Sequence, residues 1–186
     1  MKTQEVYILL TDTSTLLTKA IKLYTKKPYN HASISLDGEL QHIYSFGRKR
    51  ANNPFIGGFV KENPRGEIMR EANCAIYSIR VTEGQKRRIK QFILQMEAEK
   101  NLYRYNFIGL IAFAFHKQID RKRAYFCSQF IAVLLQECNV TSFDKPPAFI
   151  SPADLQTVPG MELVYQGPLQ HFWGNTQQEE ALSGAF

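Results

Sequence analysis

The dipeptide Asp37-Gly38, which separates two runs with alternating apolar residues, constrains the fold more than any other feature of this sequence. Asp-Gly is a preferred sequence of the two-residue type I′ turn, whose twist matches that of antiparallel strands. Residues 30–36 and 39–46 are therefore predicted to form a β-hairpin. A hairpin at this point indicates a sheet with antiparallel strands.

Hydrophobic spacing predicts the other elements. Strands are predicted over residues 5–10, 74–81 and 161–165, and helices over 15–26, 83–100, 107–115 and 126–137, with a capped helical turn at 151–155. Residues 47–73, rich in Gly and Pro, are predicted to form a long excursion, irregular apart from any short strand within it, that roofs a cleft. This combination predicts an α+β fold, with a small antiparallel sheet packed against helices.

Composition agrees with one soluble domain. The chain has 186 residues, of which 44% are hydrophobic and 22% are charged. We predict a single domain over residues 1–174 and a flexible tail over residues 175–186. No apolar run approaches the ~20 residues that a membrane span needs. The absence of a secretory signal and the odd count of three cysteines predict a cytoplasmic, reduced location.

Charge is distributed unevenly along the chain. Residues 1–123 hold 22 basic and 11 acidic side chains, whereas residues 124–186 hold one basic and six acidic side chains. Such asymmetry would suit a nucleic acid or an anionic membrane. Because the basic residues are scattered over several elements, solvated faces are the better interpretation. We therefore expect no nucleic-acid partner, and a membrane surface stays an alternative.

Cys127 is the first candidate for chemistry. It stands in Tyr125-Phe126-Cys127-Ser128-Gln129, where the predicted helix 126–137 begins. In a first helical turn, unpaired N–H groups and the helix dipole favour the thiolate, which is the nucleophilic form of the side chain. A buried core cysteine is the alternative, and it is the stronger one for this position taken alone. Cys74 and Cys138 are predicted to be core residues.

His31 is the best candidate for a base that serves Cys127. It begins a predicted strand in which Ser33 and Ser35 share its face, and a surface histidine is the alternative. His116 and His171 are predicted to lie on the surface. No Cys or His spacing resembles a zinc site, so we expect neither a metal nor another cofactor.

A catalytic histidine needs an orienting group on its second nitrogen. A two-residue turn at Asp37-Gly38 would pair Ser33 with His42 and His31 with Tyr44, so that His42 is the first choice and Tyr44 the second. A register error of one residue would instead present Gln41 and Ser45.

Four segments of the chain occur in a distinctive order. The first is the strand, helix and histidine strand that end in Pro28-Tyr29-Asn30-His31-Ala32-Ser33-Ile34. Then follow Tyr105-Asn106-Phe107-Ile108-Gly109-Leu110, Phe126-Cys127-Ser128-Gln129-Phe130 and Ser151-Pro152-Ala153-Asp154-Leu155. In this order they resemble the circularly permuted papain-like hydrolases of the NlpC superfamily, in the YiiX/YaeF-like branch. Relatives often carry Glu at the position of Gln129 and a polar residue such as His or Glu on the second hairpin strand.

The resemblance implies a permuted papain-like fold and thiol acyl transfer, with Cys127 as nucleophile at a helix N-terminus and His31 as base. Tyr105 and Tyr125 would be walls of the substrate pocket, with packing in the core as the alternative for each. The expected function is an amidase or peptidase that acts on a peptide-like or acylated small substrate. A lipid acyltransferase or phospholipase and a non-catalytic binding module are the alternatives.

Overall fold

The computed structural model describes residues 3–12, 27–50, 53–106, 108–109, 119 and 121–173. The strands are β1 (Thr3–Asp12), β2 (His31–Ser35), β3 (Ile43–Arg50), β4 (Asn53–Glu62), β5 (Asn73–Thr82), β6 (Arg104–Tyr105), β7 (Ala124–Tyr125) and β8 (Met161–Pro168). The helices are α1 (Glu67–Arg70), α2 (Glu83–Ala98), α3 (Cys127–Glu137) and α4 (Pro152–Leu155), with a 3₁₀ turn at Pro147–Phe149.

Six of these strands form one antiparallel sheet in the order β4-β3-β2-β1-β5-β8, and β6 and β7 form a separate parallel pair. The predicted α+β class, with an antiparallel sheet and few helices, is therefore confirmed. Strand β1 lies inside the sheet and is apolar on both faces, which is why its sequence is a continuous apolar run. Val6 and Ile8 face one side and Leu9 faces the other, and each is at most 1% exposed.

The sheet separates two apolar clusters. The larger cluster, here called the main core, joins one face of the sheet to α2 and α3 through Ile89, Ile93, Phe130 and Ile131. The smaller cluster covers the other face and contains Leu9, Leu40, Ile43, Met69, Cys74, Ile76, Leu169 and Phe172. Because both of its faces are buried, the sheet is the central layer of the fold and holds the ends of the strands and helices in place.

Several predicted elements are confirmed within one to three residues. Helix α2 begins after Thr82, whose hydroxyl accepts a hydrogen bond from Gln85 N at 3.2 Å. Helix α3 begins at Cys127, and the short helix α4 begins after Ser151, which caps it. Predicted helix 15–26, most of predicted helix 107–115 and the predicted tail lie outside the described residues.

The prediction that residues 47–73 are largely irregular is wrong. Most of this stretch belongs to a regular hairpin of β3 and β4, in which Ile43 pairs with Glu62 and Gly47 with Gly58. Gly47, Gly57 and Gly58 lie within its strands, and Gly66 lies in the turn before α1. Glycine in a strand permits the close approach of another segment.

The predicted register of the hairpin around Asp37-Gly38 is also wrong. The observed pairs are Ile34 with Tyr44 and Ser35 with Ile43, three residues away from the predicted register. The Asp37 carboxylate is the reason, because it accepts hydrogen bonds from Gln41 N at 2.8 Å and His42 N at 3.3 Å and so organises a longer connection. An odd shift exchanges the two faces of β3.

Within the described ranges, no helix combines the length and the apolar composition that crossing a membrane requires.

Strand β4 passes so close to Tyr105 that only glycine fits at position 57. A β-carbon there would lie 2.7 Å from Tyr105 Cβ and 2.9 Å from the Gly47 carbonyl oxygen. We expect Gly57→Ala to lower the free energy of unfolding by ~1–3 kcal/mol, because backbone and Cβ atoms cannot move aside freely. Urea denaturation followed by circular dichroism measures this change.

Gly84→Ala is the matched control, because the nearest atom to its added β-carbon is Thr82 Oγ1 at 3.9 Å. In helix α2 this change should leave stability unchanged or raise it by up to ~1 kcal/mol. Equal effects of the two substitutions would show that β4 is not packed on Tyr105.

Candidate active site

Cys127 is the first residue of α3 and is only 6% exposed. The start of the helix is fixed by main-chain pairing of β6 and β7. Arg104 N donates to Arg123 O at 3.0 Å, and Asn106 N donates to Tyr125 O at 3.0 Å. Cys127 therefore comes shortly after a strand that main-chain hydrogen bonds hold in place, so its position does not depend on an unsupported loop.

Two side chains of the first turn of α3 hold that turn in place. Ser128 Oγ donates to Ile150 O at 2.7 Å, and the Gln129 side-chain oxygen accepts from Phe126 N at 3.4 Å. A side chain that reaches back to the residue before a helix satisfies one of the unpaired donors there. Gln129 is buried and capping, so it does not supply the orienting contact to His31.

The segment that contains Asn106 and Gly109 follows β6 directly and is held by hydrogen bonds of the Asn106 side chain. The Asn106 side chain accepts from Gly109 N at 2.9 Å and donates to Ile119 O at 3.3 Å. A β-carbon at position 109 would clash with the Asn106 side-chain amide. This contact gives a physical reason for an Asn followed three residues later by Gly.

His31 meets Cys127 at the start of β2. The Cys127 side chain is close enough to the ring to raise the pKa of His31. The other partner of the ring is Glu62, with Nε2 2.7 Å from Glu62 Oε1. The β2–β3 pairs are formed at Ile34 and Ser35, so His31 lies beyond them, where the two strands separate.

Glu62, the last residue of β4, is the residue that the sequence did not reveal. Its carboxylate accepts hydrogen bonds from Ser33 Oγ at 2.5 Å and Ser45 Oγ at 2.7 Å in addition to its contact with His31. All four side chains project from one face of the sheet, because paired residues of antiparallel strands share a face and alternate residues repeat it. A hairpin predicted over residues 43–62 would have placed Glu62 on the His31 face.

The charges of His31 and Glu62 stabilise each other. Burial acts against a charged His31, but the Glu62 carboxylate and the hydrogen bonds with Cys127 and Glu62 outweigh it, and the pKa of His31 is held well above 6.5. Burial also acts against a charged Glu62, yet His31 and the two serine hydroxyls lower the pKa of this carboxyl below 4.5. The side chains are 15% and 13% exposed, so solvent screens the pair weakly. At neutral pH the site therefore holds an imidazolium and a carboxylate.

The two residues first chosen to orient His31 lie elsewhere. The His42 side chain is 51% exposed, and its Nδ1 is 3.4 Å from Asp37 Oδ2. Tyr44 belongs to the main core and stacks on Phe59 with a centroid distance of 5.9 Å. The prediction that one of them contacts the second nitrogen of His31 is wrong, because the changed register of β3 turns both away from that face. Ser45, the register alternative, reaches the site through Glu62.

Tyr105 and Tyr125 flank the approach to α3 and pack against the main core. The Tyr125 ring meets Phe46 edge-on at a centroid distance of 5.2 Å, and burial raises the Tyr125 pKa. Core packing, the alternative interpretation for each residue, describes these contacts. A role as pocket walls stays a prediction.

The remaining cysteines and histidines follow the sequence-based predictions where the structure describes them. Cys74 and Cys138 are at most 2% exposed and belong to the smaller cluster and the main core. Burial raises the pKa of Cys74 to about 12 and also raises that of Cys138, so neither is suited to react as a thiolate. His171 is exposed, and His116 lies outside the described residues.

In the part of the chain that the structure describes, no group of three or more His, Cys, Asp or Glu is arranged to hold a metal ion. The chain matches no model of a known protein family and no curated protein. The function of the site is therefore inferred from its geometry and from the resemblance of its motifs.

Replacing Glu62 by Gln should lower the pKa of His31, because burial then acts without the opposing carboxylate. The ring signals of His31, followed by NMR as the pH is varied, measure this pKa. His42→Gln is the matched control, because His42 is exposed and away from the site, and it should leave the His31 pKa unchanged. An unchanged His31 pKa in Glu62→Gln would show that the two side chains are not charge-paired.

The pair should also give folding stability a defined pH dependence. The lowered pKa of Glu62 contributes stability above its ordinary value of 4.5, and this contribution is lost as the pH falls through the folded-state pKa. The raised pKa of His31 contributes stability below 6.5, which is lost as the pH rises through its folded-state pKa. Urea unfolding of the wild type and Glu62→Gln should therefore differ most between pH 4.5 and 6.5. A difference that grows above this range would contradict the assignment.

Proposed function

We propose that this chain is a thiol-dependent acyl hydrolase of the amidase or peptidase type, with Cys127 as nucleophile, His31 as acid–base and Glu62 as orienting carboxylate. One observation carries the proposal. At the N-terminus of a buried helix, Cys127 lies close to His31, whose ring is hydrogen-bonded to Glu62. A nucleophile, a base and a third group that orients the base define this class of site irrespective of fold.

In the resting site, the His31 imidazolium lies between the Glu62 carboxylate and the sulfur of Cys127. A positive charge beside the sulfur and a helix N-terminus behind it are surroundings that suit a nucleophilic cysteine. Glu62 holds the ring by its Nε2, which leaves Nδ1 as the nitrogen that would exchange a proton with substrate and sulfur. Ser33 and Ser45 in turn hold the carboxylate in one orientation.

Acylation begins when the thiolate attacks the carbonyl carbon of an amide or ester. A carbon–sulfur bond forms, and the carbonyl oxygen gains negative charge. His31 then donates its proton to the departing nitrogen or oxygen as the carbon–nitrogen or carbon–oxygen bond breaks. The products of this step are a thioester on Cys127, a free amine or alcohol, and a neutral His31.

Deacylation reverses the roles. Neutral His31 takes a proton from water, the resulting hydroxide attacks the thioester carbonyl, and the carbon–sulfur bond breaks to release a carboxylic acid. The thiolate and the imidazolium are thereby restored. An acceptor amine or alcohol in place of water would give acyl transfer by the same steps.

The developing oxyanion needs N–H donors that are already in position. The main-chain N–H of Cys127 is suited to this role, because the first residues of a helix have no intrahelical acceptor. Its placement is held by the capping of Gln129 and by the hydrogen bond of Ser128 to Ile150 O.

The fold belongs to the same proposal. An antiparallel sheet that carries the histidine strand early in the chain, followed by a helix that begins at the cysteine, has the element order of a permuted papain-like enzyme. The four motifs that resemble the YiiX/YaeF-like branch support this interpretation. Here the orienting carboxylate comes from β4 rather than from the second hairpin strand.

Trapping of the acyl-enzyme tests the proposal. The chain is incubated with a panel of activated acyl esters and acyl-peptides, quenched in acid and examined by intact-mass and peptide mass spectrometry. We expect an acyl adduct on Cys127 and a turnover that Cys127→Ala abolishes. His31→Gln should lower the acylation rate by about 10²-fold or more, because proton transfer is lost.

Cys138→Ala is the matched control, because it also removes one buried thiol. Cys138 caps the C-terminal end of α3, far from the candidate site. This variant should retain turnover. Alkylation by iodoacetamide gives a measure that needs no substrate, and Cys127 should react faster than a free cysteine thiol at neutral pH. If Cys127 is not the fastest-reacting thiol, or if Cys127→Ala retains all turnover, the hydrolase proposal fails and a non-catalytic module is the better interpretation.

A further inference from the structure

The chain around β6 and β7 presents an exposed surface that the proposed chemistry does not use. Its apolar members are Leu102, Ile108 and Ile119, which are 51%, 50% and 40% exposed. Its cationic members are Arg104, Arg121, Lys122 and Arg123, all exposed. These seven residues are called the loop surface below.

Hydrogen bonds bring the members of the loop surface together from distant parts of the sequence. Asn106 binds both Gly109 N and Ile119 O, which places Ile119 beside the turn that carries Ile108. Arg104 N donates to Arg123 O, and Arg121 forms a bridge with Ala124. The apolar and cationic side chains therefore belong to one region.

The charge of this region is predominantly positive. Glu99 lies at its boundary and forms an exposed ion pair with Arg123, with a distance of 3.7 Å between Nη2 and Oε2. Exposed ion pairs of this kind contribute little and exchange readily with other partners. The cations of the loop surface are thus accessible to an anionic ligand.

We propose that the loop surface docks on an anionic lipid bilayer, with the apolar side chains in the interfacial region and the Arg and Lys side chains on lipid phosphates. Single exposed apolar residues are ordinary on soluble proteins. Cations alone would bind any polyanion. Exposed apolar side chains and cations in one region match the two features of an anionic bilayer, its apolar interior and its negative surface, at the same time.

The docking surface adjoins the candidate active site without using its residues. Strand β7 leads within two residues to Cys127, so a docked chain would hold α3 close to the lipid. The docking proposal does not rest on acyl-transfer chemistry. Its test uses Cys127→Ala, so that the loss of hydrolysis and the loss of docking are separate results.

Co-sedimentation with vesicles of phosphatidylcholine, with and without phosphatidylglycerol, tests the proposal. We expect binding to the anionic vesicles, little binding to the neutral ones, and weakening as salt is raised. Arg121→Gln/Lys122→Gln should weaken binding about thirtyfold, since each cation near such a surface contributes ~1 kcal/mol. Leu102→Ser/Ile119→Ser should weaken binding severalfold at a salt concentration that screens the charges.

Two matched controls lie elsewhere on the fold. Arg70→Gln/Arg80→Gln makes the same change in net charge on α1 and β5. Leu163→Ser removes an apolar side chain of 52% exposure from β8, at the opposite edge of the sheet from β4. Both controls should bind the anionic vesicles as tightly as the parent Cys127→Ala chain does. Unchanged circular dichroism spectra verify that every variant is folded.

Two results would overturn the proposal. The first is the absence of binding to anionic vesicles at low salt. The second is binding that ignores Leu102→Ser/Ile119→Ser and is matched by equally tight binding to soluble polyglutamate, which would identify the surface as one for acidic proteins.

Discussion

The ion pair between His31 and Glu62 is the interaction on which the candidate site depends. A histidine that is 15% exposed would lose its proton without a compensating charge, because burial favours the neutral ring. Glu62 reverses this preference and also holds the ring by its Nε2. Charge and orientation are thus supplied by one carboxylate, and the two serines that bind it complete its hydrogen bonds.

Buried ion pairs are expensive to form, and they persist in a fold when their remaining hydrogen-bonding capacity is satisfied. In this chain hydrogen bonds on the sheet offset the cost of burying the pair, and β2, β3 and β4 each contribute at least one polar side chain to them. The apolar residues of the same strands face the main core, except Ile43, which belongs to the smaller cluster. Alternation along the strands therefore lets one sheet carry the polar network beside the smaller cluster on one face and helix packing on the other.

Features with local signals could be predicted from the sequence. The cap at Thr82 and the spacing of Ile89, Ile93 and Met96 were sufficient for α2, and the start of α3 at Cys127 was predicted within one residue. The His31 strand was predicted from its alternating pattern. Each of these signals lies within one or two turns or within one strand.

Features that depend on pairing between strands could not be predicted in the same way. The register of β2 and β3 is set by the Asp37 carboxylate, which binds two main-chain N–H groups, and the dipeptide alone suggests a tighter turn. Glu62 is 31 residues from His31, and nothing in Phe59-Val60-Lys61-Glu62 distinguishes a buried carboxylate from an exposed one. Its role is determined by the hairpin that brings it back to Ile43.

Strand β4 is an edge of the sheet, with β3 as its only neighbour there among the described strands. Glu62 is the last residue of this edge strand, so its position depends on one ladder of hydrogen bonds. Edge hairpins open in sub-global fluctuations that cost less free energy than unfolding of the core. Phe46 and Phe59 of this hairpin pack on Phe130 in the main core, so only the end of β4 beyond Phe59 can fray while α3 and the core stay folded. Such fraying would withdraw the carboxylate from His31, and the fraction of molecules with an assembled site is therefore set by the local stability of this strand end.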